Sequence, residues 1–260
     1  MADRSDVVSS FTVIKGALVT ETYEAFRHWD FAEDRRANLT RLKARNVFAA
    51  KSVSWLRDLA KVLNRRFDPN CRDRALVRLA QRGVGLDVWR PALLWHMTRD
   101  EFLVRDFLIH WLAPQHEEGV LRIHVSDVLP YLRHIEQRGM TQDGRPWSDH
   151  TRERVASGLL GIAADVGLLT GSAVKEFGSH HMSDEAFLYL LHAIADVEAN
   201  RADVINSPQW QMYLFHPSDV EQEVLRLHQY RRLHYERAGS IVALSLPCAS
   251  ATEYAESVTI

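Results

Sequence analysis

The stretch Ser52–Arg82, SVSWLRDLAKVLNRRFDPNCRDRALVRLAQR, decides the fold class. Leu56, Leu59, Ala60 and Leu63 recur at the three-and-four spacing of one helical face, and Ser52 is a natural N-cap. Asp68, Pro69 and Asn70 end that helix. A second helix carries Leu76, Leu79 and Ala80 and stops at Gly83 and Gly85. Beside the apolar faces run two stripes of base, Arg57/Lys61/Arg65 and Arg74/Arg78/Arg82, each in steps of four. Like charges so spaced destabilise a helix by about 0.2–0.5 kcal/mol per pair. The stripes therefore call for a partner, either acids from elsewhere in the fold or a polyanion.

The stripes belong to a wider basic tract. Arg35, Arg36, Arg41, Lys43, Arg45, Lys51, Arg57, Lys61, Arg65, Arg66, Arg72, Arg74, Arg78 and Arg82 meet only Asp58, Asp68 and Asp73. That is 14 bases against 3 acids, a formal +11, in a chain whose net charge is −2, so the remainder carries −13. Such segregation attracts polyanions, nucleic acid above all. Arginine outnumbers lysine, and its planar fork suits phosphate. Phosphate contacts position a protein without reading bases, so weakly specific, salt-sensitive binding is expected. The competing reading is a solvated face, or pairing with acids such as Glu21, Glu24 and Asp30.

Working outward, helical signals continue in both directions. Helices are predicted over Gly16–Trp29 and Glu33–Lys43 upstream, and over Pro91–Met97 downstream. Thr98 to Glu101 reads as a capping box for a core helix bearing Phe102, Leu103, Phe107, Leu108, Trp111 and Leu112. Polar Pro114–Gly119 marks a boundary between a domain over 1–115 and one over 116–260. In the second part, Ser126, Ser148, Ser183 and Ser218 each open a helix, the last in the box Ser218 to Glu221. Two alternating strands follow, Leu233–Arg237 and Ile241–Leu246, around Ala238 and Gly239. The predicted fold is all-α: an N-terminal helical bundle, then a helical domain ending in a β-hairpin like that of a winged helix-turn-helix.

That second part offers further candidate contacts. The helix opened by Ser148 presents Thr151, Arg152 and Arg154 in its first turns, able to reach phosphate and base edges. An ordinary exposed helix start explains them equally well. Arg231, Arg232 and Arg237 would touch backbone from the hairpin, as a wing, or merely decorate a surface turn. The helix after Pro217 is a poorer reader, because Asp219, Glu221 and Glu223 would repel phosphate.

Composition narrows the function classes. Two cysteines without a CxxC build no disulfide framework and no thiolate zinc site, which fits a reducing cytoplasm. Thirteen histidines show no HExxH or HxH spacing. Ser148, Asp149 and His150 are triad letters in a row, not a triad, which assembles in space. No phosphate-binding loop follows Gly83 and Gly85, while Gly158 and Gly161 read as close-packing positions. The apolar run Val84–Ala113 is broken by charges costing roughly 2.5–3.5 kcal/mol each in hydrocarbon, so no membrane span is expected. No catalytic residue, metal, cofactor or small-molecule substrate is expected.

Several segments together are similar to one family. They are Ser10–Thr12 with Lys15–Leu18, Trp147 and Ser148 with Thr151–Val155, Asp165–Leu169, Ser183–Leu191, and Ser218–Glu221 with Leu233–Leu244. These resemble the BrxA family of bacteriophage-exclusion (BREX) systems. The resemblance implies a helical, DNA-binding protein without enzymatic activity, its fold related in part to the antitermination factor NusB. With the charge and cysteine readings, the expected partners are double-stranded DNA and other BREX subunits, and the expected site of action is the cytoplasm. The resemblance supplies no catalytic set; the candidate contact residues above come from charge alone. Two rivals stand beside DNA binding, a protein-interaction scaffold in the defence complex and an RNA-binding regulator of the antitermination kind.

Overall fold

The computed structural model describes residues 8–50, 52–141, 144–178, 181–239 and 241–258. The architecture is mainly helical. Helices α1 (Ser10–Ile14), α2 (Val19–Arg27), α3 (Arg35–Arg45), α4 (Val53–Arg66), α5 (Arg74–Arg82) and α6 (Leu86–Met97) form the first part. Then come α7 (Phe102–Phe107), a π-helical turn (Leu108–Leu112), α8 (Ala113–Glu117), α9 (Val125–Gln137) and α10 (Asp149–Asp165). A short hairpin of β1 (Leu169–Thr170) and β2 (Glu176–Phe177) leads to α11 (Asp184–Ala195) and, after 3-10 turns, α12 (Pro217–Gln229). The antiparallel pair β3 (His234–Ala238) and β4 (Ile241–Ser245) precedes a last helix, α13 (Ala251–Ser257).

Local chemistry explains where expectation and structure part. The helix predicted from Gly16 begins only at Val19, because Gly16 and Leu18 both take left-handed backbone, φ +76° and +56°, and a separate short α1 precedes them. The helix predicted from Pro91 begins at Leu86 and carries the proline inside it. The expected box at Thr98 does not form. Thr98 Oγ1 instead donates back to the carbonyls of Leu94 and Trp95, and Glu101 turns inward. At α9 and α12 the caps are His124 and His216 rather than Ser126 and Ser218, with Asp127 and Asp219 accepting their backbone N–H groups at 2.8 and 2.9 Å. Ser52 and Ser148 do cap, accepting from Trp55 N and Thr151 N.

Gly158 is a packing position: a Cβ there would lie 2.7 Å from the Val13 carbonyl oxygen of α1. Gly161 is not, since a Cβ there would meet nothing within 4 Å.

The helical path runs through the predicted boundary, since α8 occupies much of Pro114–Gly119. One hydrophobic cluster includes Phe26, Leu63, Trp89 and Trp95 from the first part and Tyr189, Trp210 and Tyr254 from the second. Helix α5 packs on α2 and on α13, and α6 packs on α11. The β3–β4 hairpin forms as predicted, with Tyr235 opposite Leu244 and both buried. The chain does not end there: α13 returns to the first part.

A buried polar chain crosses this seam. His96 Nδ1 lies 2.7 Å from Asp73 Oδ1 and Nε2 2.7 Å from the Tyr189 hydroxyl. A neutral imidazole satisfies both, donating from Nδ1 to the carboxylate and accepting at Nε2 from tyrosine.

Candidate nucleic-acid interface

Helix α4 buries Leu59, Val62 and Leu63, which turns Arg57, Lys61 and Arg65 to the opposite, exposed side. Arg57 makes no ion pair among the described residues. Lys61 Nζ lies 5.9 Å from the centre of the Phe11 ring. Arg65 leans toward Glu101 at 3.8 Å yet keeps 36% of its side chain exposed. Asn64 shares the Arg57 side of the helix, two turns on, and accepts from Arg35 through its carbonyl at 3.3 Å. The α4 stripe and the start of α3 are thus one neighbourhood.

The next residue, Arg66, has the opposite fate. It is fully buried and donates to Glu101 Oε1 (3.2 Å) and to the carbonyls of Thr12 (2.8 Å), Gly16 (2.9 Å) and Ala17 (3.3 Å). Burial pulls its pKa down, and Glu101 opposes that shift. Arg66 is an internal clamp on the α1–α2 bend and is not a nucleic-acid contact.

On α3, capped by Asp34, the tract divides again. Arg35 pairs with Asp68 at 2.8 Å, and Arg41 binds Glu33 (2.8 Å), Asn38 and the His28 carbonyl. Arg36, Lys43 and Arg45 make no ion pair among the described residues. Lys51 lies outside the described residues.

The α5 stripe faces protein. The guanidinium groups of Arg74 and Arg78 each sit 4.5 Å from the centre of the Phe31 ring. Arg78 Nε is 2.9 Å from Glu256 of α13, though without the alignment of a hydrogen bond. Arg82 donates to the Glu256 carbonyl. The acids that answer this stripe are not the expected Glu21, Glu24 or Asp30; the carboxylate comes from the far end of the chain.

The second-part candidates are mostly tied. Arg152 is buried between Glu136 (3.0 Å) and Asp149 (2.5 Å), so it cannot reach a groove. The Thr151 hydroxyl meets Ser148 Oγ at 2.9 Å. Arg154 is exposed without an ion pair among the described residues. Arg237 is held at 2.7 Å by both oxygens of Glu221, whose pKa Arg237 and the Tyr235 hydroxyl lower. Arg232 faces Glu185 at 3.4 Å, and Arg231 holds left-handed backbone at φ +56°.

Three residues of the α4 neighbourhood escaped the charge reading. Lys15 Nζ pairs with Asp58 at 2.7 Å, lowering the Asp58 pKa, and lies 5.3 and 5.2 Å from the rings of Phe11 and Trp55. Phe11 and Lys15, four apart, already stood in the resemblance segments; nothing in sequence joined them to α4.

A family model described as BrxA matches residues 9–193, from α1 into α11. No curated protein and no solved structure matches the chain. The matched span holds all three basic helices and the Arg66–Glu101 clamp, whereas β3, β4 and α13 lie beyond it. Since the match takes in more than half of the sequence, the chain belongs to the BrxA family.

Proposed function

We propose that this protein is a non-catalytic accessory of BREX phage defence that binds duplex DNA mainly through phosphates. Family membership suggests the BREX-associated role. The observation that carries the DNA-binding reading is the α4 stripe, three bases along one exposed helix side, and the neighbouring α3 carries three more exposed bases, Arg36, Lys43 and Arg45. Arg57 and Lys61 of α4 and these three α3 bases make no ion pair among the described residues, and they are the proposed phosphate contacts. The α5 stripe, Arg66 and Arg152 drop out of the contact set.

The hairpin, even if it serves as a wing, contributes little charge once Glu221 holds Arg237. The second part would then serve orientation or the docking of another BREX subunit. A NusB-like first part and action in the cytoplasm, where host DNA lies, complete the proposal. Among the described residues no helix is long and apolar enough to cross a membrane.

A mobility-shift titration against salt tests the mechanism. With about six phosphate contacts, affinity should fall roughly a thousandfold between about 50 and 200 mM salt. A flat dependence overturns it.

A further inference from the structure

Helix α13 lies against α5, and its grip on the rest of the fold is small. Of its seven residues only Ala251, Tyr254 and Ala255 are buried, whereas α6 on the other side of α5 buries eight side chains, two of them tryptophans. A helix of that length has little stability of its own and stands only while docked. It hangs from β4 by residues 246–250, which form neither helix nor strand. Its ties run to α11. Cys248 N donates to His192 Nε2 (3.2 Å), Ala251 N donates to Asp196 Oδ2 (3.0 Å), and the Tyr254 ring stacks on His192 at 4.6 Å. Elements with so few buried apolar contacts open ahead of the core.

What α13 offers to α5 is acidic. Residues 246–260 carry two acids and no Lys or Arg. Glu253 is spent on its own helix start, accepting from Ala249 N at 2.9 Å. Glu256 faces α5, its carboxylate beside Arg78 and its carbonyl accepting from Arg82. The fit is imperfect. Arg78 Nε is shut from solvent without an aligned acceptor, although Glu256 Oε1 is 2.9 Å away, and a buried donor left so weakens the docked state.

We propose that α13 is a detachable, autoinhibitory cover: docked, it withholds Arg78 and Arg82, and undocked, it frees them as a second phosphate-binding surface. The cover rests on the reading of the chain as a phosphate binder. It deepens that reading, because the α5 stripe becomes latent rather than merely structural.

The test removes the anchor. In Tyr254→Ala, hydrogen exchange in α13 should quicken while α4 and α6 keep their protection. Duplex affinity should rise about twentyfold at about 0.1 M salt, and the salt slope should steepen by about two, the share of two freed bases. Adding Arg78→Gln and Arg82→Gln should abolish the gain. Ala255→Gln is a second way to lift the helix, since it sets a larger polar group, without charge or ring, at a fully buried position. If α13 quickens and affinity does not rise, or the gain survives loss of the two arginines, the cover is overturned. If α13 quickens in neither variant, or α6 loosens with it, α13 is a fixed part of the core and the proposal is overturned as well. The α4 reading is judged apart, by neutralising Arg57, Lys61 and Arg65 to Gln. If that change leaves duplex affinity intact, the α4 track falls, while a gain from Tyr254→Ala in the same background still upholds the cover.

Discussion

Helices α4 and α5 carry the same motif, three bases in steps of four over an apolar face, and meet opposite surroundings. Arg57, Lys61 and Arg65 look outward past Phe11. Arg74, Arg78 and Arg82 look onto Phe31 and α13, where Glu256 supplies a carboxylate and a carbonyl. The lesson is that spacing specifies a helix face but not what lies across from it. On α4 the stripe keeps Arg57 and Lys61 outside any ion pair among the described residues, with Glu101 near Arg65 alone; on α5 an aromatic ring and the last helix lie across from the bases.

The largest effect should come from the clamp beneath the α4 stripe. Glu101→Ala leaves Arg66 as a buried charge without its carboxylate, and breaking such a pair destabilises by about 3–5 kcal/mol. Thermal or urea unfolding would show it. Retained stability would mean that the three carbonyls around Arg66 suffice, and would sever the link between the clamp and the stripe above it.

Next in size, replacing Arg57, Lys61 and Arg65 together by Gln should cost roughly a hundredfold in DNA affinity near 0.1 M salt and lower the salt slope by about three. The same change at Arg74, Arg78 and Arg82 should move the slope by less than about one. Equal changes in slope would dissolve the contrast between the two helices.

Much of this was legible in sequence. Ser52, the apolar positions of α4 and α5, Gly83 and the β3–β4 alternation are local signals, and local physics realised them. What escaped were relations at long range. Arg65 and Arg66 are neighbours of one type and both approach Glu101, yet only Arg66 falls on the buried Leu59–Val62–Leu63 side, and the carboxylate it needs there lies 35 residues away. The α5 stripe was read as open because α13 carries too short an apolar pattern to announce its docking onto a helix far upstream. Phe11, Lys15 and Trp55 are separate in sequence and converge through the sharp turn at Gly16 and Leu18. Even the misplaced caps at His124 and His216 have a local reason, since Asp at the third helical position can hold the preceding backbone N–H without a serine.

Acid should act on the α5 side first. Burial lowers the pKa of His96 despite the pull of Asp73, and His96 is held neutral between Asp73 and Tyr189. Stability from this group is complete above its unfolded pKa of about 6.5 and is lost as pH falls below it toward the folded value. Urea unfolding at pH 7.5 and 5.5 should differ by about 1 kcal/mol in that direction. His96→Gln should flatten the dependence, and hydrogen exchange in α5, α6 and α11 should rise before that in α4. An unchanged slope in the variant would assign the effect to other groups, His192 first among them, whose pKa burial also lowers.

The smallest effect probes the contrast most directly. Glu256→Gln removes the carboxylate set against Arg78 while keeping the side-chain shape and the carbonyl that Arg82 uses. Glu256 is 47% exposed and Arg78 31%, so their attraction is screened and worth little, about 0–1 kcal/mol for such surface pairs. If α5 is silent toward DNA only because that carboxylate neutralises it, the substitution should raise affinity by no more than about threefold, and adding Arg78→Ala should abolish the gain. No gain would mean that Phe31 and the body of α13, not the charge of Glu256, keep the second stripe from a polyanion. The difference between the two helices would then be one of cover rather than of charge.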